Sequence, residues 1–305
     1  MGGDYFGELA ALGTAFCWTI TAMSFEAAGR RVGSLSVNLI RLVMAAFFLA
    51  AYGWLTRGVA FPVDATPHAW FWLGLSGLVG FAFGDLCLFR AFIVLGSRRS
   101  MLIFSLTPLI TALTGWAFLG ETLSVLDRIG MALTISGVAW VISERAPAAA
   151  GEPSRPQPQG RAKLRGVLLA IGGAAGQAAG LVLSKYGMGQ YDAFAATQIR
   201  VIAGIAGFGV IFFAIGWWPR VFAALKHRGA MARTSLGAVF GPFLGVSLSL
   251  VAIKYTETGV AATIMSLVPV LIIAPSVILF KDRVTARAVL GAVVAVGGVA
   301  LLFLQ

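Results

Sequence analysis

The tetrapeptide Ser105-Leu106-Thr107-Pro108 returns 161 residues later as Ser266-Leu267-Val268-Pro269, each copy inside a long apolar run. At the same offset Gly80 meets Gly241, Gly84 meets Gly245, Glu121 meets Asp282 and Gly130 meets Gly291. Nearer the start of each copy the offset shortens by two residues. It then aligns Gly7 with Gly166, Gly13 with Gly172, Glu26 with Lys185 and Arg41 with Arg200, the slip that a loop deletion between helices leaves. The chain is a tandem duplication, so an architecture reached by one half is the architecture of both.

What the repeated unit can be follows from its solvent. Of the 305 residues 59% are hydrophobic and only 11% charged, with a mean hydropathy of +0.89. Polar residues are too few to cover a soluble fold of this size, and lipid must wet most of the surface. Apolar runs long enough to cross a bilayer cover Gly7 to Phe25, Ser36 to Leu55, Ala69 to Leu95, Met101 to Leu119 and Val125 to Ser143. Five more cover Leu164 to Leu183, Phe194 to Trp218, Thr234 to Ile253, Gly259 to Phe280 and Ala286 to Leu304. They are continuously apolar and do not alternate, which predicts helices and not barrel strands. Between the two sets, residues 144–163 carry Pro147, Pro153, Pro156 and Pro158 among charged and amide side chains, the composition of a solvated linker. The expected division is a first repeat at 1–143, this linker, and a second repeat at 164–305. Residues 1–6 include Asp4 and no Lys or Arg, so the first run is expected to stay in the protein and not to act as a cleaved signal.

Five crossings deliver the chain to the opposite side of the bilayer, and the second copy is then inserted upside down. The fold expected is an all-α integral membrane protein of ten transmembrane helices, built as two inverted five-helix repeats. The net charge of +11 lies mostly in loops between spans, where it sets orientation and does not call for nucleic acid. Arg30, Arg31, Arg98, Arg99, Arg161, Arg165, Arg220, Arg228 and others would share one face, against only Arg57, Arg128, Lys185 and Lys254 on the other. That asymmetry puts the 144–163 linker in the cytoplasm and both termini outside a cell (inner) membrane.

Ionisable groups inside apolar spans are costly and mark wet cavities or partners. Those within or at the ends of spans are Glu26, Arg41, Asp85, Arg90, Lys185, Arg200 and Lys254. Asp85 aligns with Val246, so the repeat itself does not require a carboxylate there; it is a candidate for proton coupling or cation binding, or for a structural pair with Arg90 or Arg41. Arg41 and Arg200 are repeat-related candidates for holding an anion. Glu26 is a second coupling candidate; it and Lys185, at equivalent positions, are expected near opposite faces without an ion pair. Trp18 and its counterpart Gln177, with Asn38 and Gln198 near the two arginines, could stack on or hydrogen-bond an organic solute. Pro108 and Pro269 sit within spans at equivalent places and are read as hinges. Cys17 and Cys87 are isolated in apolar runs, His68 and His227 stand alone, and no metal or cofactor is expected.

Several stretches together resemble a known family. They are the Gly84-Asp85 of span three, the turn Lys254-Tyr255-Thr256-Glu257-Thr258-Gly259-Val260-Ala261-Ala262, the two Ser-Leu-x-Pro sites, Gly120-Glu121 with Lys281-Asp282-Arg283, and the ending Gly297-Gly298-Val299-Ala300. The chain is similar to the EamA branch of the drug/metabolite transporter superfamily over nearly its whole length. The resemblance implies a carrier whose central cavity is formed by spans one to four and six to nine, with spans five and ten peripheral. It also implies small organic metabolites as cargo and would line the cavity with Trp18, Asn38, Arg41, Asp85, Gln177, Gln198 and Arg200. Family members are usually drawn with both termini in the cytoplasm, the reverse of the orientation the loop charges give.

The expected function is secondary-active transport of small organic metabolites, such as amino acids, by alternating access, with protons or a counter-substrate as coupling partner. The lipid bilayer is the other partner, and the chain would act as a monomer or homodimer. A non-transporting receptor or scaffold is the alternative. An intramembrane enzyme is a weaker one, because the chain has no H-E-x-x-H, G-x-S-x-G or phosphate-loop motif.

Overall fold

The computed structural model describes residues 5–95, 97–143, 160–273, 275 and 285–303, and among these every regular element is helical. In the first half these are α1 (Phe6–Val32), α2 (Ser34–Arg57), α3 (Pro67–Gly77), a π-helical segment (Leu78–Gly84), α4 (Asp85–Leu95), α5 (Ser97–Phe104), α6 (Thr107–Leu119) and α7 (Val125–Ser143). The second half has α8 (Gly160–Met188), α9 (Ala193–Ala214), the short α10 (Trp218–Leu225), α11 (Arg228–Ala238), a second π-helical segment (Val239–Gly245) and α12 (Val246–Tyr255). It closes with α13 (Thr258–Met265), α14 (Val268–Leu271) and α15 (Ala286–Leu302).

Among the described residues seven helical stretches are long and apolar enough to cross a membrane, and three more, Thr107–Leu119, Thr258–Leu271 and Ala286–Leu302, are shorter apolar helices. Large apolar side chains stand on the outside, Phe213 at 83% exposure and Phe118 at 78%, as befits a surface wetted by hydrocarbon. Helices are the form that lets such a surface exist, since each satisfies its own backbone. Their ends carry caps: Thr66 accepts from the Ala69 N–H (3.2 Å) with Pro67 opening α3, and Asp192 accepts from the Ala195 N–H (2.8 Å). Gly33, with φ of 84°, makes the one-residue corner between α1 and α2.

The duplication is visible in the irregularities. The two π-helical segments occupy equivalent positions, each beginning after a cap in ordinary helical conformation and each ending at the second matched glycine. In both, the residue after that glycine, Asp85 or Val246, donates its N–H five residues back, to Gly80 or Gly241. The fourth run of each half is broken at Ser-Leu-x-Pro: α5 ends at Phe104 and α6 begins at Thr107, while α13 ends at Met265 and α14 begins at Val268. Proline at the first or second position of the new helix has no N–H to lose there. The fourth spans are therefore interrupted helices and not the continuous runs expected.

Two boundaries also differ from expectation. Residues 160–163 form the first turn of α8 and not the end of the linker, whose remaining residues, 144–159, lie outside the described residues. The run from Phe194 to Trp218 ends as a helix at Ala214, and Gly216, at φ of 62°, turns the chain into α10.

The halves interlock. Helix α8, which opens the second half, packs against α3, the first π segment and α4, and α1 packs in the equivalent way against α11, the second π segment and α12. Small residues allow the first approach: a methyl on Gly176 would lie 2.8 Å from Gly84 Cα, and one on Gly180 would lie 3.1 Å from Gly80 Cα. The Ser76 hydroxyl bridges across it to the Gly180 carbonyl (3.0 Å) and to Ser184 Oγ (2.7 Å). Helices α7 and α15 form a close seam, running antiparallel. Gly130 faces Gly298, Gly137 faces Gly291, and between them Thr134 Oγ1 reaches the Ala295 carbonyl at 3.4 Å. Each of these residues meets the repeat partner of the other, as elements related by a two-fold axis do.

Candidate functional site

Three of the charges that the sequence singled out, Arg41, Asp85 and Arg200, lie near one another in the interior. Arg41 projects from α2 and donates through Nη2 to Asp85, the first residue after the π segment. Of the two partners considered for Asp85, Arg41 is the one in place; Arg90 is exposed. The π segment matters to this pair, because its wider turn rotates α4 relative to α3 and so sets where Asp85 points. The Arg41 guanidinium also lies 5.2 Å from the Phe25 ring centre on α1. Its repeat partner Arg200, on α9, has the same kind of support, with its guanidinium 5.0 Å from the Phe81 ring centre.

The two arginines are not equivalent in bonding. The Arg41 and Asp85 side chains retain 13% and 19% of their exposure, whereas Arg200 is 2% exposed, with Nε and Nη1 lacking any hydrogen-bond partner. Arg41 Nε and Asn38 Nδ2, one turn earlier on α2, are likewise buried and unpartnered. Gly80 leaves room beside Arg200: the position a methyl would take there is 3.4 Å from Arg200 Nη2 and 3.9 Å from Gln177 Oε1. Gln177 thus borders the same space. Trp18, its counterpart, lies against the bare backbone of Gly245, where a methyl would come within 2.7 Å of the indole.

Gln198 departs from expectation. Its amide donates to the Ala60 carbonyl at 2.8 Å and pins the loop before α3, so it does not stand with the arginines. Two residues on a helix are about 200° apart around its axis, so Arg200 and Gln198, both buried, meet different neighbours. The Glu26 side chain lies outside the described residues, as do residues 281–284 with Asp282. Lys185 is held by Glu121 (2.7 Å) and by the Thr256 carbonyl (2.7 Å). Pro108 and Pro269 stand at the helix breaks described above.

Three features were missed at the level of sequence. Phe25 and Phe81 seat the arginines; Phe81 falls between the matched Gly80 and Gly84, which was the available signal. Glu121 is more than a turn residue, since it accepts from the Thr258 N–H (3.0 Å) and hydroxyl (2.6 Å) as well as from Lys185. It ties the end of α6 to α8 and to the start of α13. On the same end, Arg57, Asp64 and Tyr191 join the loops before α3 and α9, with Tyr191 Oη donating to Asp64 at 2.9 Å. Slight burial would raise the Asp64 carboxyl, but the hydrogen bonds from Tyr191 and Arg57 outweigh it and hold the group below the usual carboxylate range.

Two shallow grooves lie away from this cluster, on the outer surface. One runs between α4 and α8, lined by Phe83, Cys87, Leu168 and Gly172 and bordered by Arg161 and Arg165; the other follows one face of α7. Their apolar, outward walls suit acyl chains and not a polar solute, so the interior cluster is the better candidate for a site.

Comparison with known proteins agrees with this architecture. The family model of the EamA-like transporter family matches residues 5–143 and again 164–304. A protein described as an uncharacterized transporter, YvbV of Bacillus subtilis (strain 168), is 27% identical over 195 residues, 64% of this chain; the match spans 59% of that relative's length. A solved crystal structure superposes with a TM-score of 0.76 over 98% of this chain and 96% of its own, at 18% identity, a likeness of fold alone. With both halves matched, a multi-pass helical architecture and an apolar outer surface, this chain belongs to the EamA-like transporter family.

Proposed function

We propose that this protein is a secondary carrier that moves small organic metabolites, amino acids or related compounds among them, across the cell membrane by alternating access. The observation that carries the reading is the interior cluster of Arg41, Asp85 and Arg200. A single charge at the centre of a bilayer costs roughly 2.5–3.5 kcal/mol even on the mildest scale, and such groups are retained where they face a polar pathway. Here the repeat-related arginines come one from each half and both act on Asp85, Arg41 by direct bonding and Arg200 at longer range from its seat on Phe81, which supports a site at the junction of the halves, where carriers of inverted repeats place their substrates.

Ten crossings in two inverted units fit the way the ends of the helices gather. At one end Tyr5 packs on Phe303 (5.9 Å), Thr256 bonds Glu8 (2.7 Å), and Glu121 binds Lys185, which joins both termini to the loops after α2, α6, α8 and α12. At the other, the Trp217 indole reaches Ser36 Oγ (3.4 Å), and Leu95 packs at Gly166. That second end bears Arg30, Arg31, Arg161, Lys163, Arg165, Arg220, Lys226 and Arg228, which supports a cytoplasmic linker and external termini in the inner membrane. A tag at the C terminus accessible only from the cytoplasm would refute this orientation. The paired breaks at Pro108 and Pro269 are the proposed hinges, and Asp85, with Glu26, the proposed coupling groups.

The test is uptake into proteoliposomes of labelled amino acids, nucleobases and organic acids, with and without a pH gradient. Wild type is expected to accumulate at least one solute and Asp85→Asn to lose the gradient-driven part. Pro108→Ala and Pro269→Ala should slow turnover more than they weaken binding. Absence of flux for every solute at verified insertion would sink the carrier reading; unchanged gradient-driven uptake in Asp85→Asn would sink the coupling role.

A further inference from the structure

We infer that the interior site takes one carboxylate group of its solute on Arg200, with Asp85 serving as a built-in counter-ion that reserves Arg41. This rests on the carrier reading and narrows it. Four of the buried side-chain atoms left without a partner are Arg200 Nε, Arg200 Nη1, Arg41 Nε and Asn38 Nδ2. All four are N–H donors that can accept nothing. A surplus of buried donors calls for an acceptor-rich group, and the two guanidinium nitrogens on Arg200 prefer an ionised one.

Charge counting sharpens the class. Among the described side chains the cluster holds two guanidiniums and one carboxylate, one positive charge more than it compensates, and Arg41 spends its Nη2 on Asp85, which also faces Arg200 at longer range. A single carboxylate on Arg200 balances that charge, whereas a second one would have to compete with Asp85 for Arg41. An ammonium group brought to the arginines would leave three cations against one anion. The repeat explains why the site is lopsided: Val246 stands where a second aspartate would be, so only the Arg41 side carries its own anion. Arg200 is 2% exposed beside the partly exposed Arg41–Asp85 pair, so a carboxylate on Arg200 would sit in the drier part of the cluster. Gln177, across Gly80, is placed to read what is attached to the carboxylate.

The experiment is a binding screen on the purified full-length protein, scored by thermal stabilisation and by competition for binding. The probes are monocarboxylates and α-amino acids, dicarboxylates such as succinate, primary amines, and neutral polyols. Wild type should bind one or more probes carrying a single carboxylate and bind matched dicarboxylates at least tenfold more weakly. Arg200→Gln should lose carboxylate binding by tenfold or more while Arg200→Lys keeps part of it. Asp85→Asn, which frees Arg41, should shift preference toward dicarboxylates by about tenfold; this arm stands even if Arg200→Gln does not fold. Binding of amines or polyols alone, no binding of any carboxylate, or an unchanged preference in Asp85→Asn would each overturn the inference. Carboxylates bound but not transported would instead remove the carrier reading and leave the site, and an amine transported without carboxylate binding would do the reverse.

Discussion

The seam between α7 and α15 can be tested by adding one methyl group. Gly137 is buried against its neighbour, and a methyl there would sit 2.6 Å from the Gly291 carbonyl oxygen and 2.8 Å from Ala295 Cα, closer still to the Ala295 nitrogen. An ordinary contact is 3.4 Å or more, so Gly137→Ala must part the helices by about 1 Å or strain them, at roughly 1–3 kcal/mol. In lipid the loss is not cushioned by a hydrophobic drive between helices, because separated surfaces are equally well wetted by acyl chains; close packing is what holds them. The control lies on the partner helix. Gly297 has nothing within 4 Å of its methyl position, and Gly297→Ala should stabilise by up to about 1 kcal/mol through helix propensity alone. Both variants share that propensity gain, so the difference between them reports the clash. Gly298→Ala, where the methyl would come within 2.7 Å of the Gly130 carbonyl, should behave as Gly137→Ala does if the halves are related as described. The assay is the thermal unfolding midpoint of the purified protein in one detergent. Equal midpoints for Gly137→Ala and Gly297→Ala would refute the close antiparallel seam, and opposite behaviour of Gly137→Ala and Gly298→Ala would refute its symmetry.

Two further outcomes are expected. Glu121→Gln should destabilise by about 1–3 kcal/mol, since it removes the charge that Lys185 and the Thr258 N–H and hydroxyl share; in a double-mutant cycle with Lys185→Met the effects should fall short of additive by at least about 0.5 kcal/mol, and strict additivity would show the pair to be idle. Because Asp64 titrates below the ordinary carboxylate range in the folded protein, its contribution is in place above that range and is lost as pH falls through the lowered value. Hydrogen exchange in residues 58–66 should therefore be steady from neutral pH to about 5 and rise below about 4, apart from its intrinsic pH dependence; the same rise in Asp64→Asn would show that the clasp with Arg57 and Tyr191 is not responsible.

Much of the architecture was legible in the chain because a bilayer narrows the choices. A bilayer-spanning run with obligatory backbone hydrogen bonds is a helix or a barrel strand, and continuous apolar runs without alternation leave the helix; the paired Ser-Leu-x-Pro sites marked where the fourth helices break, since proline removes a donor wherever it stands. The two matched glycines in each third span marked the π-helical segments without identifying them: glycine spacing signals close approach, but the extra residue in the turn is chosen by the helix packed against it. Arg41, Asp85 and Arg200 stood out because charge is rare in such runs, yet their order of partnership did not. Arg41 and Arg90 are equal candidates for Asp85 along the chain, and the tertiary arrangement around the π turn selects Arg41. In the same way Gln198 and Arg200 read as neighbours, but a helix sends residues two apart to different faces, and one pins the loop at Ala60 while the other lies over Phe81. The sequence by itself determined the repeat, the solvent and the rare buried charges, because composition and period act locally. The tertiary structure decided which of those charges meet and which arginine is left with donors to spare, because that depends on how two halves, far apart in sequence, interlock across their small residues.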